Sequence, residues 1–388
     1  MINKSILNTE VQNFIRDFEG DVSKLAFAGS PFEDVTLQEL IQQIESRNRI
    51  EKKLPIWYKA SKILFPPKLN LEQTSSETTA RYKASIIEGE TIADITGGFG
   101  VDSYFFSEKF KNVYHFEINE TLSELAAHNF EVFGKGNIVC TANDGLKATL
   151  SNKYDVIYAD PSRRHDSKGK VFFLNDCVPD IPGNVSELLA NCKTLLLKTS
   201  PMLDISVGLN ELQHVAEIHI VAVENEVKEL LWVLRHDAAN IPDIKTINFS
   251  KAGVETFNFK WGTEAAADYS FPKKFLFEPN AAILKSGAFD NISEELQVYK
   301  LNKNTHLYTG DQLIDFPGRS FRIEKVIPYS KAEMRKETFK KANIATRNFP
   351  ESVASLRKKW KIADGGAVYL FFVTTFENQK EVIICSKK

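Results

Sequence analysis

Between about residues 90 and 235, short apolar runs alternate with helical stretches, and no other feature limits the fold so tightly. The runs are TIADIT, NVYHFEIN, NIVCTAND, YDVIYADP and TLLLKTSP, followed almost without a linker by IHIVAVENE and VKELLWVLR. Strands separated by helices are joined by crossovers, so a largely parallel sheet with helices on both faces is predicted. The last two runs read as an antiparallel edge hairpin. Open parallel sheets bind ligands at the carboxyl ends of their strands, so the residues at those ends decide what the chain can do.

The first strand ends at Asp94 and runs into Thr96, Gly97, Gly98 and Gly100, before apolar residues at helical spacing from Val101 onward. This reads as strand, tight turn, helix, with glycines that permit positive φ and let a ligand approach the backbone closely. The second strand ends at Glu117 and Ile118, roughly 20 residues past the glycine turn, where an acidic side chain suits the hydroxyls of a ribose. Asn143 and Asp144 end the third strand, and Asp144 is placed to accept from an adenine amino group. Asp160 and Pro161 end the fourth. One Asp after a strand is more often a helix cap or turn residue. Four carboxylates at one sheet edge point to a nucleoside-bearing ligand. The dinucleotide pattern G-x-G-x-x-G is not met, because Thr96 stands where its first glycine belongs.

Composition narrows the class. Of 388 residues 43% are hydrophobic, enough for more than one core and incompatible with a disordered chain. No apolar run approaches the roughly 18 residues of a membrane span. The N-terminal MINKSILNTEVQNFIRDFEGD is too polar for a signal peptide. Cys140, Cys177, Cys192 and Cys385 are far apart and show no paired metal spacing, so reduced thiols, no metal site and a cytoplasmic location are expected.

The net charge of −2 conceals an asymmetry: from Arg319 to the end there are 16 Lys and Arg against 7 Asp and Glu. In this segment Lys340, Lys341, Arg347, Arg357 and Lys358 are interleaved with Phe339, Phe349 and Trp360. Such a mixture attracts phosphate and offers rings to unpaired bases, although a helix with one apolar and one solvated face gives the same pattern. Four regions follow: a helical region at 1–85, the α/β core at 86–260, and two small regions at 261–320 and 321–388.

The motifs DITGGFGVD and DPSRR together resemble those of class I S-adenosylmethionine-dependent methyltransferases, which have a Rossmann-like α/β fold. LAAHNFEVFG, from Leu125 to Gly134, resembles the helix after the ribose-binding acid in RNA methyltransferases, including the trimethylguanosine synthases. LEQTSSETTARYKA resembles the motif that closes over the methionine end of the cofactor, which adds Gln73 and Ser75. From about residue 40 onward the chain resembles a bacterial family with a methyltransferase core, a small ferredoxin-like domain and a C-terminal THUMP-like domain. The carrying segments are DITGGFGVD, YADPSRR, LLLKTSPMLDI, FEPNAAILKSGAF, ANIATRNFP and LRKKWKIADGGAVYLF.

The resemblance implies S-adenosyl-L-methionine as cofactor, held by Gln73, Ser75, Asp94, Thr96, Gly97, Gly98, Gly100, Glu117, Ile118 and Asp144. It implies an α+β ferredoxin-like fold without an iron–sulfur cluster, for which the cysteine spacing is absent. Modules related to the THUMP-like domain hold structured RNA. Arg347 and Asn348 in the TRNF turn are therefore the sharpest RNA-contact candidates, with Lys340, Lys341, Arg357 and Lys358 around them.

The chemistry rests on the fourth strand end. In enzymes that methylate the exocyclic nitrogen of adenine or guanine, an Asp or Asn followed by Pro orients that nitrogen toward the sulfonium methyl, which is mainly catalysis by positioning. Asp160 and Pro161 fit this role. Ser162 and Arg163 then replace the second proline and the stacking aromatic, so Arg163 is expected to stack through its planar guanidinium or to bind phosphate. The uracil-C5 mechanism is rejected: Lys198, Thr199 and Ser200 occupy the relevant strand end, and no thiol is near. Lys198 itself reads first as a solvated strand-end lysine, with contact to substrate or cofactor as the alternative. The expected activity is methylation of a base nitrogen in tRNA or rRNA. Methylation of a small molecule or protein, and noncatalytic RNA binding with a vestigial pocket, are the alternatives.

Overall fold

A computed structural model describes residues 2–163 and 173–387. The chain divides into two compact units, residues 1–216 with 230–240, and residues 217–229 with 241–388.

The first unit opens with helices α1 (Thr9–Asp17), α2 (Val22–Ala28), α3 (Leu37–Ile50), α4 (Pro55–Lys59), α5 (Lys68–Gln73) and α6 (Glu77–Ser85). The TLQE segment starts α3 with a reciprocal cap, Thr36 holding the Glu39 N–H and Glu39 the Thr36 N–H, which satisfies two orphan donors. Leu40, Ile44 and Ile50 form its buried face. The extended FPP segment after it is tied down by side-chain amides. Gln43 exchanges two hydrogen bonds with the Phe65 backbone, at 2.7 and 2.9 Å. Asn129 does the same for Leu64, at 2.9 Å each. These pairs mimic a strand partner and keep a buried backbone satisfied.

The core strands are β1 (Thr91–Asp94), β2 (Asn112–Phe116), β3 (Ile138–Thr141) and β4 (Tyr154–Ala159), then the short antiparallel pair β5 (Ser162–Arg163) and β6 (Cys177–Val178), then β7 (Cys192–Thr199), β8 (Val215–Val223) and β9 (Glu226–Leu234). Between them lie α7 (Val101–Phe106), α8 (Glu120–Val132), α9 (Gly145–Thr149), α10 (Val185–Asn191) and α11 (Ile205–Glu211). In the first unit the strand order is β9-β7-β4-β1-β2-β3, parallel except for β9, which runs antiparallel to β7. Ile92, Ala93, Val156, Ile157, Leu195 and Leu196 are all fully buried, as expected for parallel strands covered on both faces. The alternation in the sequence is thus realised as a class I α/β core.

β8 and β9 are joined through Glu224 and Asn225, both at positive φ (50° and 63°), the backbone that two-residue hairpins favour. The expected edge position is not found. In the second unit β8 pairs in parallel with β10 (Asp243–Ser250), which pairs antiparallel with β11 (Gly253–Lys260). IKTINFSKAGVETFNFKW is therefore a hairpin that takes the edge in place of β8.

The remainder of the second unit is a seven-stranded sheet in the order β13-β14-β12-β15-β18-β17-β16. Its strands are β12 (Phe275–Pro279), β13 (Tyr299–Lys300), β14 (Tyr308–Gly310), β15 (Gly318–Pro328), β16 (Lys341–Arg347), β17 (Ala363–Thr374) and β18 (Lys380–Lys387). Asn280 caps α12 (Ala281–Ser286) after the FEP strand exit, and α13 (Asn291–Glu295) follows. α14 (Lys331–Lys336) precedes β16, and α15 (Val353–Trp360) is the crossover that makes β16 and β17 parallel. YLFFV and EVIIC supply Leu370, Phe371, Phe372, Val382 and Ile383 to the core.

Candidate active site

The glycine turn is built first by the chain's own packing. A Cβ on Gly97 would lie 2.2 Å from Cε1 of His115, and one on Gly100 would lie 2.4 Å from Cζ of Phe130. Gly100 also sits at φ +86° at the start of α7, where a side chain is strained. Two of the three glycines expected to admit a ligand are therefore required by neighbours inside the protein. Gly98, at φ +57°, meets only the Thr96 carbonyl oxygen, 3.7 Å from where a Cβ would stand, and is the one whose surroundings leave room for another molecule.

Behind the turn lies a buried polar chain. Asp94 is 1% exposed; it accepts from the Thr96 N–H at 3.1 Å and from the Ser103 hydroxyl at 2.7 Å. Ser103 Oγ is also 3.1 Å from Nδ1 of His115. Because the serine proton goes to Asp94, the His115 bond requires Nδ1–H as donor. Burial pushes the His115 imidazole down to about 4, so the ring is neutral at pH 7. Burial pushes the Asp94 carboxyl up to about 7, hydrogen bonds from Ser103 and Thr96 oppose that, and the nearby Asp102 and Asp160 carboxylates reinforce it. Asp94, expected beside the cofactor, lies buried at the turn with Oδ1 engaged by the turn's Thr96 N–H and Oδ2 by Ser103 of α7.

In front of the turn stands Glu117. Its Oε2 accepts from the Gly98 N–H and its Oε1 from the Asn119 N–H, each at 2.8 Å, so one carboxylate fixes the exits of β1 and β2 together. Each oxygen keeps a lone pair. The next side chain, Ile118, is 76% exposed, an apolar surface beside a pinned carboxylate. Asp144 is the N-cap of α9 and accepts from the Lys147 N–H at 3.3 Å, with the Lys147 ammonium at 3.5 Å. Its carboxylate thus has a structural use at the third strand end. Gln73 is exposed at the last residue of α5.

Ser75 belongs to a second buried cluster that sequence reasoning missed. Lys83 is fully buried; its Nζ donates to Ser75 Oγ at 2.9 Å and lies 3.1 Å from Asp102 Oδ1. Asp102 Oδ2 accepts from Ser75 Oγ at 2.8 Å and from the Tyr158 hydroxyl at 2.9 Å. A lysine is buried only when paired, and nothing in TTARYKAS marks Asp102, on the far side of β1, as the partner.

At the fourth strand end the Asp160 N–H donates to Thr96 Oγ1 at 2.7 Å, so the threonine in the place of a glycine ties the β1 and β4 exits together. Asp160 Oδ2 forms an ion pair with Lys198 Nζ. The Lys198 side chain is only 13% exposed, so the expected solvated lysine is instead part of the site. Pro161 is half-buried beside Asp160. The Arg163 side chain and Arg164 lie outside the described residues.

In the second unit Arg347 forms an ion pair with Glu278, and Arg319 Nε lies 2.7 Å from the same carboxylate. Asn348 follows at φ +49°. Arg357 does not face a partner: its Nη1 donates to the Ala342 and Ile362 carbonyls at 3.2 and 3.3 Å, and Nη2 pairs with Asp364. It is a brace between the end of α15 and the neighbouring strands. Phe339, Phe349 and Trp360 pack against the core formed by Met334, Leu356 and Phe372, so they are not free stacking surfaces. Lys340, Lys341 and Lys358 are exposed.

The β-strand order and the carboxylate-bearing strand ends define a class I methyltransferase fold. Residues 275–317 match a ferredoxin-like domain family and residues 318–387 a THUMP domain-like family. A protein of Porphyromonas gingivalis W83 assigned to the methyltransferases is 32% identical, with a TM-score of 0.90 over 100% of this chain and 99% of the other. The chain belongs to that family, the class I S-adenosylmethionine-dependent methyltransferases with ferredoxin-like and THUMP-like domains.

Other solved structures overlap in part. A modification subunit of a type I restriction enzyme from Vibrio vulnificus YJ016 has 11% identity and a TM-score of 0.36, over 63% of this chain and 66% of its own. An rRNA methylase from Streptococcus thermophilus has 15% and 0.31, over 41% and 93%. Overlaps this weak carry no inference about substrate. No curated protein matches.

The protein is an S-adenosylmethionine-dependent methyltransferase. The strand ends fit that cofactor: Glu117 is held by backbone N–H groups with lone pairs to spare, Ile118 is an uncovered apolar side chain next to it, and Gly98 has no side-chain neighbour within 4 Å of where a Cβ would stand. Among the described residues no group of three or more His, Cys, Asp or Glu forms a metal site, and no helix is long and apolar enough to cross a membrane.

Proposed function

We propose that the protein methylates a base nitrogen of RNA, in the cytoplasm, with tRNA or rRNA as the substrate class. The reading rests chiefly on Asp160, fixed by Thr96 through its N–H and by Lys198 through Oδ2. Bound S-adenosylmethionine supplies an electrophilic methyl group. Glu117 would accept hydrogen bonds from the ribose hydroxyls, and Ile118 would flank the adenine. Asp94 works through Thr96 and Ser103, holding the turn in shape from behind. With Oδ2 occupied by Lys198, Oδ1 of Asp160 would accept an N–H of the target nitrogen, leave its lone pair turned to the methyl group, and hold the proton that this nitrogen sheds on methylation until it passes to solvent. The work of these groups is positioning. The exposed Lys340, Lys341 and Lys358 supply attraction to the phosphate backbone.

Calorimetry with S-adenosylmethionine and S-adenosylhomocysteine tests the cofactor half. Saturable binding is expected, and Glu117→Ala should abolish it. Transfer of labelled methyl to RNA from cells lacking the gene tests the other half. Asp160→Ala should lower turnover by about 10²-fold or more while cofactor affinity stays unchanged. Labelling of protein or small molecules with no labelling of RNA would overturn the substrate assignment.

A further inference from the structure

Three aromatic side chains of the second unit remain uncovered in one cluster outside every motif discussed above. Tyr269, Phe271 and Phe376 are 37%, 40% and 38% exposed. The Phe376 ring lies 6.4 Å from that of Tyr269 and nearly parallel to it, at 15°, and 5.6 Å from Phe271, edge-on. The turn that presents Phe376 is braced. Glu377 and Asn378 sit at φ 58° and 61°, and Asn302 Nδ2 donates to the Thr375 carbonyl at 3.0 Å. The same Asn302 accepts from the Asn348 amide at 3.4 Å, which connects the rings to the end of β16. There the buried Glu278 carboxylate is shared by two guanidiniums, Arg319 and Arg347, 46% and 35% exposed. One carboxylate neutralises one of them, so a positive charge is left over.

We propose that this cluster holds unpaired nucleotides of the RNA, with bases stacked on Phe376 and its neighbours and phosphate met by the Arg319–Arg347 pair. The assignment rests on the RNA reading above. Exposed rings beside uncompensated cationic charge are the elements with which single strands are gripped without regard to sequence. A duplex keeps its bases stacked inside and offers such rings nothing.

The test uses the full chain and two fluorescent probes, a 12-nucleotide oligoadenylate and a 12-base-pair RNA duplex, followed by anisotropy at two salt concentrations. The single strand should bind more tightly than the duplex. Phe376→Leu keeps an apolar side chain but removes the ring; it should weaken single-strand binding about ten-fold and leave duplex binding unchanged, while Phe376→Trp restores affinity. Arg347→Ala should reduce the salt slope by about one.

Unchanged single-strand affinity in Phe376→Leu and in Tyr269→Ala, with loss in Lys340→Ala/Lys341→Ala, would overturn the platform and leave the RNA reading intact. Absence of binding to either probe by the unmodified protein would overturn the platform and count against RNA as well.

Discussion

The sheet edge of the first unit and the basic segment of the second both present charged residues, but in opposite ways. At the sheet edge each charged group takes a distinct position set by a named partner: Asp94 behind the turn, Glu117 across it, Asp160 against Lys198. In the basic segment some charges are consumed as braces, as Arg357 is, and others, such as Lys340 and Lys341, stand in solvent. Charge at a strand end carries positional information because the fold fixes where strand ends lie. Charge along a helix or loop carries only composition.

The contrast is sharpest at Lys83. Lys83→Met should destabilise the protein by about 3–5 kcal/mol, because it leaves Asp102 without its cation inside the protein. Urea unfolding of this variant checks it, and Lys83→Met combined with Asp102→Leu should recover a large part of the loss. A single variant as stable as the parent would show that the buried pair is dispensable.

Next in size is Gly97→Ala. Its new methyl meets the His115 ring at 2.2 Å, so a loss of about 1–3 kcal/mol is expected from overpacking. In a His115→Ala background the same change should cost less, since the ring that it strikes is gone. Equal costs in both backgrounds would mean that the turn needs this glycine for another reason.

The pH dependence provides a third comparison, within one hydrogen-bonded chain. Asp94 has its carboxyl raised from 3.8 to about 7, so between those values the folded state holds a proton that the unfolded state has lost. Its contribution is therefore present at low pH and fades as pH rises to 7. His115, lowered from 6.5 to about 4, acts in the reverse sense, because between 4 and 6.5 the unfolded state binds the extra proton. Its contribution grows with pH. The two slopes oppose each other from about pH 4 to 6.5. Asp94→Asn should unmask a rise in stability across that range, and His115→Gln a fall. Parallel shifts without a change of slope would contradict both assignments.

These comparisons also explain what was legible in the sequence. The parallel core and the glycine turn were readable because each depends on local periodicity or turn chemistry. The edge position assigned to β8 was not, because strand pairing between distant segments leaves no local mark. Lys198 and Lys83 were misread or missed for a related reason. Lysine composition predicts solvent, and only the fold brings Asp160 and Asp102 alongside. The cluster at Tyr269, Phe271 and Phe376 is assembled from segments more than 100 residues apart at its ends. Phe339, Phe349 and Trp360, by contrast, looked available beside basic residues and are packed against the core.

The smallest effect is expected where charge is densest in the sequence. Lys340 and Lys341 are exposed, and no salt bridge among the described residues includes either one. Changing both to Ala should alter folding stability by no more than about 0.5 kcal/mol. Their effect belongs to RNA binding: phosphate contacts release counterions, so the paired change should lower affinity at low salt and flatten the salt dependence by roughly one to two units of slope. Unaltered stability with a flatter slope would separate these lysines from Lys83 by function as well as by position. A large loss of stability would instead mean that the basic segment, like Arg357, is built into the fold.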